Sequence, residues 1–304
     1  MNPPLVSVVM INYNAGRLLN LAIDSILQQT DIDLELIIVD DFSKDDGPEV
    51  IRSYAAKDSR VKPLLSTVNR GISATRNAGI EIARGEFIAL IDGDDQHLPD
   101  TLSKQLSHFN RLKASHPDLC LLASDAWLIN EAGERGGGRY MPTAYWSGDH
   151  ISNCPDWTLP STWFFPRECP VRFHPGYRFS DAPIFIHRMA AHGTIAYIGE
   201  PLIEYRLRIS SATNTLAARV VRDLNAASLS LAKGCLNDPV PSDSLPEPSW
   251  NQVTAWKYGR NAKAALLNHK PFLAAKDLCV ASIADPKKTF GKIGRFLGQK
   301  LKRS

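Results

Sequence analysis

Two groups of carboxylates directly follow apolar segments of strand length in this chain. Leu36–Val39 is followed by Asp40-Asp41, and Phe87–Ile91 is followed by Asp92-Gly93-Asp94. Carboxylates that converge in one place repel each other unless a cation shares the space. Mg²⁺ and Mn²⁺ prefer oxygen ligands of this kind and typically bridge protein carboxylates to substrate phosphates. Together the two groups predict a site for a divalent metal ion and a phosphate-bearing substrate.

The segments that would position these carboxylates alternate between strand and helix. Strands are predicted at 5–11, 34–39, 61–66, 87–91 and 119–129, and helices at 15–29, 47–57, 72–83 and 99–114. This alternation is typical of βαβ units, so we predict an α/β fold with a doubly wound, mostly parallel sheet. Ligands of such sheets bind beyond the carboxyl ends of the strands, where both acidic groups would meet. The alternative is that these acids only form turns and cap helices.

The regular alternation ends near residue 130. The Gly-rich stretch 134–139 predicts a flexible hairpin tip or flap, and a helix at 182–193 and one or two strands at 195–205 follow. We therefore predict a catalytic domain over 1–218. A C-terminal helical extension would cover 219–286 and contain a Pro-rich linker at 239–248, and a basic tail would cover 287–304.

Charge is distributed unevenly along the 304 residues. The chain has 35 Lys+Arg and 32 Asp+Glu, and 287–304 holds seven of the basic residues and no acid. This leaves 28 basic against 32 acidic residues in 1–286, a balance of −4, which argues against a nucleic acid partner. Phe290, Ile293, Leu297 and Leu301 recur at helical spacing among the cations of the tail, a pattern typical of a helix that lies on an anionic membrane surface. A solvated, disordered terminus is the alternative.

Other sequence features limit the compartment and the class of protein. The five cysteines are scattered without a C-x-x-C pair, and neither a signal peptide nor a membrane-spanning apolar run is apparent. We therefore expect a cytoplasmic protein, peripheral at the inner face of the membrane if the tail binds there. The chain lacks G-x-x-x-x-G-K-[ST], and Ile11–Asn14 stands where a dinucleotide-binding G-x-G-x-x-G would begin, so a P-loop protein and a dinucleotide dehydrogenase are disfavoured.

Four motifs in order resemble those of the family 2 glycosyltransferases. They are Val6–Asn14, Val39–Ser43 (V-D-D-x-S), Asn69–Gly79 (N-x-G-x-x-x-x-R-N-x-G) and Ala83–Asp95, which ends in D-x-D. The resemblance is dense over 5–95 and weaker to about 212. Phe42 departs from it, because glycine is commoner at that position. The resemblance implies a GT-A fold and transfer of a sugar from a nucleotide-diphosphate donor with inversion.

The resemblance also implies which residues bind the donor. The nucleotide-sugar-binding residues would be Asn12, Tyr13, Asn14, Asp40, Asp41, Arg76, Asp92, Gly93 and Arg208. A carboxylate at Asp40 or Asp41 can accept the imide N–H of uracil, which favours a UDP-linked donor. Asp94, together with Asp92, would hold Mn²⁺ or Mg²⁺ on the diphosphate.

Two departures from the family pattern affect the chemistry. Asp181 would be the general base that takes the proton of the acceptor hydroxyl, but Ser180 stands where the family has a first acid. The alternative for Asp181 is a helix cap. Arg208 replaces a histidine that serves the family as metal ligand or phosphate contact. An arginine cannot bind a cation but can pair with diphosphate oxygens; His174 or His187 could take over as a metal ligand.

The expected activity is that of a metal-dependent, inverting glycosyltransferase of the hexosyltransferase type. Its acceptor would be a glycan or a lipid-linked glycan, and Trp163 and Ser180 would lie in the acceptor cleft, although a Trp-Phe-Phe run is as often plain core. Two other functions remain open. One is a nucleotidyltransferase of related fold, and the other is a membrane-associated protein that binds a nucleotide sugar without transferring it.

Overall fold

The structure is a computed structural model that describes residues 3–140, 149–152, 158–178 and 182–208, with seven further positions between 219 and 233. It divides into two compact units, one formed by 1–126 and 145–204 and the other by 127–144 and 205–304. Ser180, Asp181, the linker at 239–248 and the tail at 287–304 lie outside the described residues. The predicted domain boundaries and the membrane-binding tail therefore stay predictions.

The described stretches 3–140, 149–152, 158–178 and 182–208 contain ten strands and five α-helices. The strands are Val6–Asn12 (β1), Leu34–Asp40 (β2), Val61–Leu65 (β3), Phe87–Asp92 (β4), Gln96–His97 (β5), Leu119–Ile129 (β6), Arg135–Arg139 (β7), Asp149–Ser152 (β8), Trp163–Pro166 (β9) and Thr194–Arg206 (β10). The helices are Leu18–Leu27 (α1), Gly47–Lys57 (α2), Ile72–Ile82 (α3), Thr101–Ser115 (α4) and Ala182–His192 (α5). The elements that the sequence predicted have ends within three residues of the observed ones, whereas β5, β7, β8 and β9 were not predicted.

The sheet has the strand order β3-β2-β1-β4-β9-β6-β10-β5. Strands β3, β2, β1 and β4 are parallel neighbours, whereas β9 runs antiparallel to both β4 and β6. Asn12 pairs in register with Asp40, and Ile11 pairs with Asp92, so the carboxyl ends of three strands meet at one edge. The predicted α/β class is confirmed, and the two acidic groups lie at the same edge of the sheet.

Burial on both faces explains why the parallel strands consist of apolar runs. All seven residues of β2 are buried, as expected for a strand covered by helices on both sides. Helix α1 packs its apolar stripe, Leu19, Ala22, Ile23 and Ile26, into this core with no exposed surface. No helix of the described part is long and apolar enough to cross a membrane.

A buried acidic side chain joins strands β1, β2 and β4 near their amino ends. Glu35 is 3% exposed and accepts hydrogen bonds from Ser7 Oγ (2.7 Å), from the Arg84 backbone N–H (2.8 Å) and from Arg84 Nη2 (3.0 Å). Burial alone raises the pKa of this carboxyl, but the bonds from Ser7 and Arg84 outweigh it and hold the pKa below its usual range. The Gly85 N–H in turn donates to Ser7 Oγ at 2.8 Å, which fixes the entry into β4.

The predicted flexible tip at 134–139 was wrong, because most of it is strand β7 of the second unit. Trp127 pairs with Arg139, and Ile129 pairs with Arg135, in an antiparallel ladder. The guanidinium groups of Arg135 and Arg139 lie over the Trp127 ring, at 5.2 and 5.9 Å from its centroid, respectively. These contacts hold a three-glycine run extended although its composition is typical of a loop.

Candidate functional site

The loops after β1 and β2 are joined by side-chain hydrogen bonds to a buried carboxylate. Asn12 Nδ2 donates to Asp40 Oδ2 at 2.7 Å and to Ser43 Oγ at 3.2 Å. The Ser43 N–H and hydroxyl donate to the two oxygens of Asp40, at 2.9 and 2.5 Å. Asp40 is only 1% exposed, so its main role here is to fix the two loops to each other. Ser43 is a fixed position of the V-D-D-x-S motif, but no role at the site was predicted for it.

Asp41 points away from this group and holds the turn before α3. Its two oxygens accept the backbone N–H groups of Arg70 (2.7 Å) and Gly71 (2.9 Å), and its carbonyl accepts Asn69 Nδ2 (3.1 Å). The structure therefore brings both Asp40 and Asp41 to the site, but both carboxylates form hydrogen bonds with other groups of the protein. Contact of either one with a nucleobase stays a prediction.

Two aromatic rings on these loops face solvent. Tyr13 is 42% exposed, and its neighbour Asn14 is fixed by bonds to the β2 loop, from the Asn14 N–H to Ser43 Oγ (3.0 Å) and from the Lys44 N–H to Asn14 Oδ1 (2.7 Å). Phe42 has φ of 67°, in the left-handed region that glycine adopts without strain. Lys44 Nζ lies 3.1 Å from the centroid of the Phe42 ring. An exposed ring on a fixed loop can stack on a planar ligand.

The turn after β4 is anchored from two other segments. Arg76 Nη2 on α3 donates to Asp92 Oδ1 at 2.7 Å, and its guanidinium lies 5.3 Å from the Phe173 ring centroid. The Arg76 side chain is 6% exposed and that of Asp92 is 32% exposed, so the pair borders solvent on the Asp92 side. Ser161 Oγ accepts the Asp92 N–H at 3.2 Å and donates to buried Asp95 at 2.7 Å. Sequence reasoning missed Ser161 because its partners lie almost 70 residues away.

Gly93 allows the backbone of this turn to lie against β1, as expected. A Cβ at Gly93 would lie 3.0 Å from Asn12 Oδ1 and 3.1 Å from the Ile11 carbonyl oxygen, closer than nine in ten real Cβ contacts. Asn12 Oδ1 is itself buried and accepts no hydrogen bond within the described part of the chain. A buried acceptor without a donor beside a carboxylate turn fits a site that completes its hydrogen bonds with a ligand.

The acidic turn fits a metal ion held jointly with a substrate. Within the described ranges no group of three or more His, Cys, Asp or Glu side chains is arranged to hold a metal ion. Asp94 is partly exposed next to Asp92, whose Oδ1 already binds Arg76. Mg²⁺ and Mn²⁺ are commonly held by one or two carboxylates plus phosphate oxygens, which matches this donor set better than a cage of protein ligands does.

Of the three neighbouring histidines, two make local structural contacts and one is buried. His174 Nδ1 accepts the Gly176 N–H at 3.2 Å, and His187 Nδ1 lies 2.8 Å from the Pro183 carbonyl within α5. His97 is fully enclosed next to the acidic turn, and burial lowers its pKa to about 3. It is therefore neutral at physiological pH, and it adds no positive charge to the turn.

Trp163 does not form an acceptor surface, so that prediction was wrong. Its side chain has no exposed area, its Nε1 donates to Thr158 Oγ1 at 2.8 Å, and its ring stacks on those of Phe185 (5.1 Å) and Phe173 (6.1 Å). A ring enclosed in this way cannot offer a face to a sugar. Arg208 lies two residues beyond β10 in the second unit, and its contact with a diphosphate stays a prediction.

Comparison with known proteins gives a consistent picture for the first part of the chain. The family described as glycosyl transferase family 2 matches residues 7–122. An uncharacterized glycosyltransferase of Haemophilus influenzae is 42% identical over 118 residues, which cover 38% of this chain and 47% of the relative. The glycosyltransferase GlyG of Streptococcus pneumoniae is 27% identical over 226 residues, 69% of this chain and 73% of GlyG. Like the Haemophilus influenzae protein, several other relatives are matched over less than half of their length.

Solved structures share the fold, and their alignments cover nearly the whole chain. Residues 1–349 of TarS from S. aureus, solved in complex with UDP, superpose with a TM-score of 0.57 at 16% identity and cover 96% of this chain and 92% of that one. The mannosyltransferase PcManGT from Pyrobaculum calidifontis, solved with GDP-Man and Mn²⁺, gives 0.53 at 18% identity over 98% and 81% of the two chains. At these identities the likeness concerns the fold alone.

Proposed function

We propose that the protein transfers a sugar from a nucleotide-diphosphate donor to a hydroxyl group, because its residues 7–122 match the family described as glycosyl transferase family 2. One observation carries the proposal above the others. The carboxyl ends of β1, β2 and β4 meet at one edge and present an Arg76–Asp92 pair, an adjacent Asp94 and a buried acceptor, Asn12 Oδ1, that accepts no bond from the described residues. A nucleoside diphosphate with its cation is the kind of ligand that these groups, at this edge of the sheet, are suited to bind.

On the donor side, each side chain has a role that follows from its surroundings. Tyr13, exposed on a fixed loop, stacks on the nucleobase, and uracil is the base we propose first. Asp92, held by Arg76, accepts hydrogen bonds from ribose or sugar hydroxyls, while the close packing at Gly93 keeps the turn rigid. The guanidinium of Arg76 offsets part of the negative charge that a diphosphate and the acidic turn bring together.

We propose Asp94, with Asp92 at its side, as the ligand for Mn²⁺ or Mg²⁺. When bound, the cation neutralises the charge that develops on the departing nucleoside diphosphate. The chain's own contribution is to hold the carboxylate in place through the anchored β4 turn.

Asp181 is the proposed general base, and its position in sequence supports this role. It follows Arg178, which is fixed to the turn before α3, and immediately precedes α5. A carboxylate there would accept the proton of the acceptor hydroxyl while the sugar carbon is attacked from the side opposite the leaving diphosphate, which gives inversion. We further propose a glycan or lipid-linked glycan as acceptor, approached at an anionic membrane surface through 287–304.

The experiment measures binding and turnover separately. UDP and GDP are titrated with and without Mn²⁺ by calorimetry, and release of nucleoside diphosphate from UDP-GlcNAc and GDP-mannose is then followed. We expect Mn²⁺-dependent binding of one nucleotide and slow hydrolysis of its sugar conjugate. Asp181→Asn should keep the binding and lose turnover. Binding without any turnover in the wild type would favour a sugar-nucleotide-binding protein instead, and wild-type turnover in Asp181→Asn would remove that residue from the base role.

The membrane part of the proposal has its own test. Full-length protein and a 1–286 truncation are sedimented with vesicles of phosphatidylglycerol and phosphatidylcholine. We expect only the full-length protein to pellet, and only at low salt, because ions screen the attraction between basic side chains and anionic lipids. Equal pelleting of both proteins would refute a role for the tail.

A further inference from the structure

Residues of the motif Asn69–Gly79 contact, besides Asp41, a segment that lies about 100 residues later in the chain. We call Phe173–Arg178 the approach segment, because it leads to residue 181. The Ile72 N–H donates to the Arg178 carbonyl at 2.9 Å, and the Ser73 hydroxyl donates to the Tyr177 carbonyl. All of these residues belong to the first compact unit.

Asn77 binds the approach segment at its other end. Its Nδ2 donates to the Phe173 carbonyl at 2.7 Å, and its Oδ1 accepts the Phe173 N–H at 2.9 Å. This pair of bonds reproduces with a side chain the exchange that two strands make in a ladder, so it fixes both the distance and the direction of the backbone at Phe173. The amide uses one donor and one acceptor on a single backbone residue, which a shorter or apolar side chain cannot do.

Gly71 shows how closely the two segments approach. It has φ of 87°, and a Cβ at this position would lie 2.9 Å from both the Cβ and the carbonyl oxygen of Arg178. Arg178 Nη2 returns to the same turn and donates to the Asn69 carbonyl at 3.0 Å. The same turn is held from its other side by the two oxygens of Asp41.

From these contacts we infer that Asn77 and Ser73 are positioning residues that place the approach segment, and through it the base at residue 181, relative to the donor-binding edge. The inference rests on the proposed function. Arg76, next to Asn77, binds Asp92 at the donor-binding edge. Two adjacent residues of α3 thus bind the donor-binding edge and the approach segment that leads to the proposed base. In the sequence, three residues separate Arg178 from α5, and Asp181 is the last of them.

The test compares Asn77→Ala with a matched control, Ser7→Ala. Ser7 is also buried and also joins distant segments by hydrogen bonds, but near the amino ends of the strands. Hydrogen exchange of peptides covering 173–178 is measured for both variants, together with the Kd of UDP or GDP with Mn²⁺ and kcat for hydrolysis of UDP-GlcNAc or GDP-mannose. Ser73→Ala is the milder second variant if Asn77→Ala does not fold.

We expect faster exchange at 173–178 and a kcat lowered by about 10-fold or more in Asn77→Ala, because a small misplacement of a catalytic group costs up to about 100-fold in rate. The nucleotide Kd should stay within about 2-fold, and Ser7→Ala should change neither exchange at 173–178 nor kcat. Unchanged exchange, an unchanged kcat, or a Kd that rises in parallel with the loss of kcat would overturn the positioning role. A wild type that neither binds nucleotide nor hydrolyses either donor rejects the proposed function instead, which is a distinguishable result.

Discussion

Two substitutions of Glu35 separate the stability that its buried hydrogen bonds contribute from the stability that its exposed ion pair contributes. The separation is possible because the two carboxylate oxygens have different partners. Oε1 accepts the Ser7 hydroxyl and the Arg84 backbone N–H, both at a buried position, whereas Oε2 accepts the Arg84 side chain, which is 61% exposed. In Glu35→Gln the amide oxygen can keep the buried pair, and the exposed guanidinium can turn to water. The loss should then be about 0.5–1 kcal/mol. In Glu35→Ala the buried donors also lose their acceptor, and the loss should reach about 2–3 kcal/mol.

The assay is equilibrium urea unfolding followed by tryptophan fluorescence, with thermal unfolding as a second measure. A shift of about 2–4 °C per kcal/mol is expected for a domain of this size. Equal losses in the two variants would refute the division into a buried and an exposed part. A loss below about 0.5 kcal/mol in Glu35→Ala would refute the view that Glu35 joins the three strands.

The same variants give a pH dependence with a defined sign. Because the pKa of Glu35 in the folded protein lies below its usual value near 4.5, the carboxylate stabilises the folded state at neutral pH. The difference between wild type and Glu35→Gln should stay constant down to about pH 5 and vanish as the pH falls through the pKa of the folded protein. A difference that grows toward acid pH would contradict the lowered pKa.

Three further predictions concern single residues. Phe42→Gly should be more stable than Phe42→Ala by about 0.5–1 kcal/mol in urea unfolding, because both lose the Lys44 contact but only alanine keeps a Cβ at positive φ; equal stability would argue against strain there. Gly79→Ala should lose about 1–3 kcal/mol in the same assay, because its Cβ meets the Val9 side chain, and Val9→Ala should restore part of the loss. His97, whose pKa burial lowers from 6.5 to about 3, should make the wild type lose stability as the pH falls between these values, a loss that His97→Leu should lack in urea titrations at about pH 7 and pH 5.

Local patterns predicted the elements well, but not all of their partners. The apolar runs of β1, β2 and β4 and the helical stripe of α1 are local signals, and their ends were predicted within three residues. The carboxyl edge of the sheet followed from the βαβ alternation, which is why Asp40, Asp41 and Asp92 were expected together.

What the sequence could not predict depends on contacts between distant segments. Strand β9 has four residues in a stretch rich in proline and aromatics, and nothing local indicates that it inserts between β4 and β6. That insertion encloses Trp163, so no ligand can reach the face of its indole ring. The inward direction of Asp41 likewise depends on the turn at Gly71, which lies 30 residues away and which no spacing rule connects to it.

The insertion of β9 also has a consequence for synthesis on the ribosome. Strands β4 and β6 are made first, but within the described sheet each pairs with β9, which begins only at residue 163, whereas β6 ends at residue 129. Until then the nascent chain exposes β4 with an unpaired edge, the kind of surface on which neighbouring chains aggregate. A recombinant fragment that ends at residue 122, where the family match ends, would keep this edge permanently. Expression of the isolated segment 7–122 should therefore give aggregates, whereas extension through β10 should supply the missing strand.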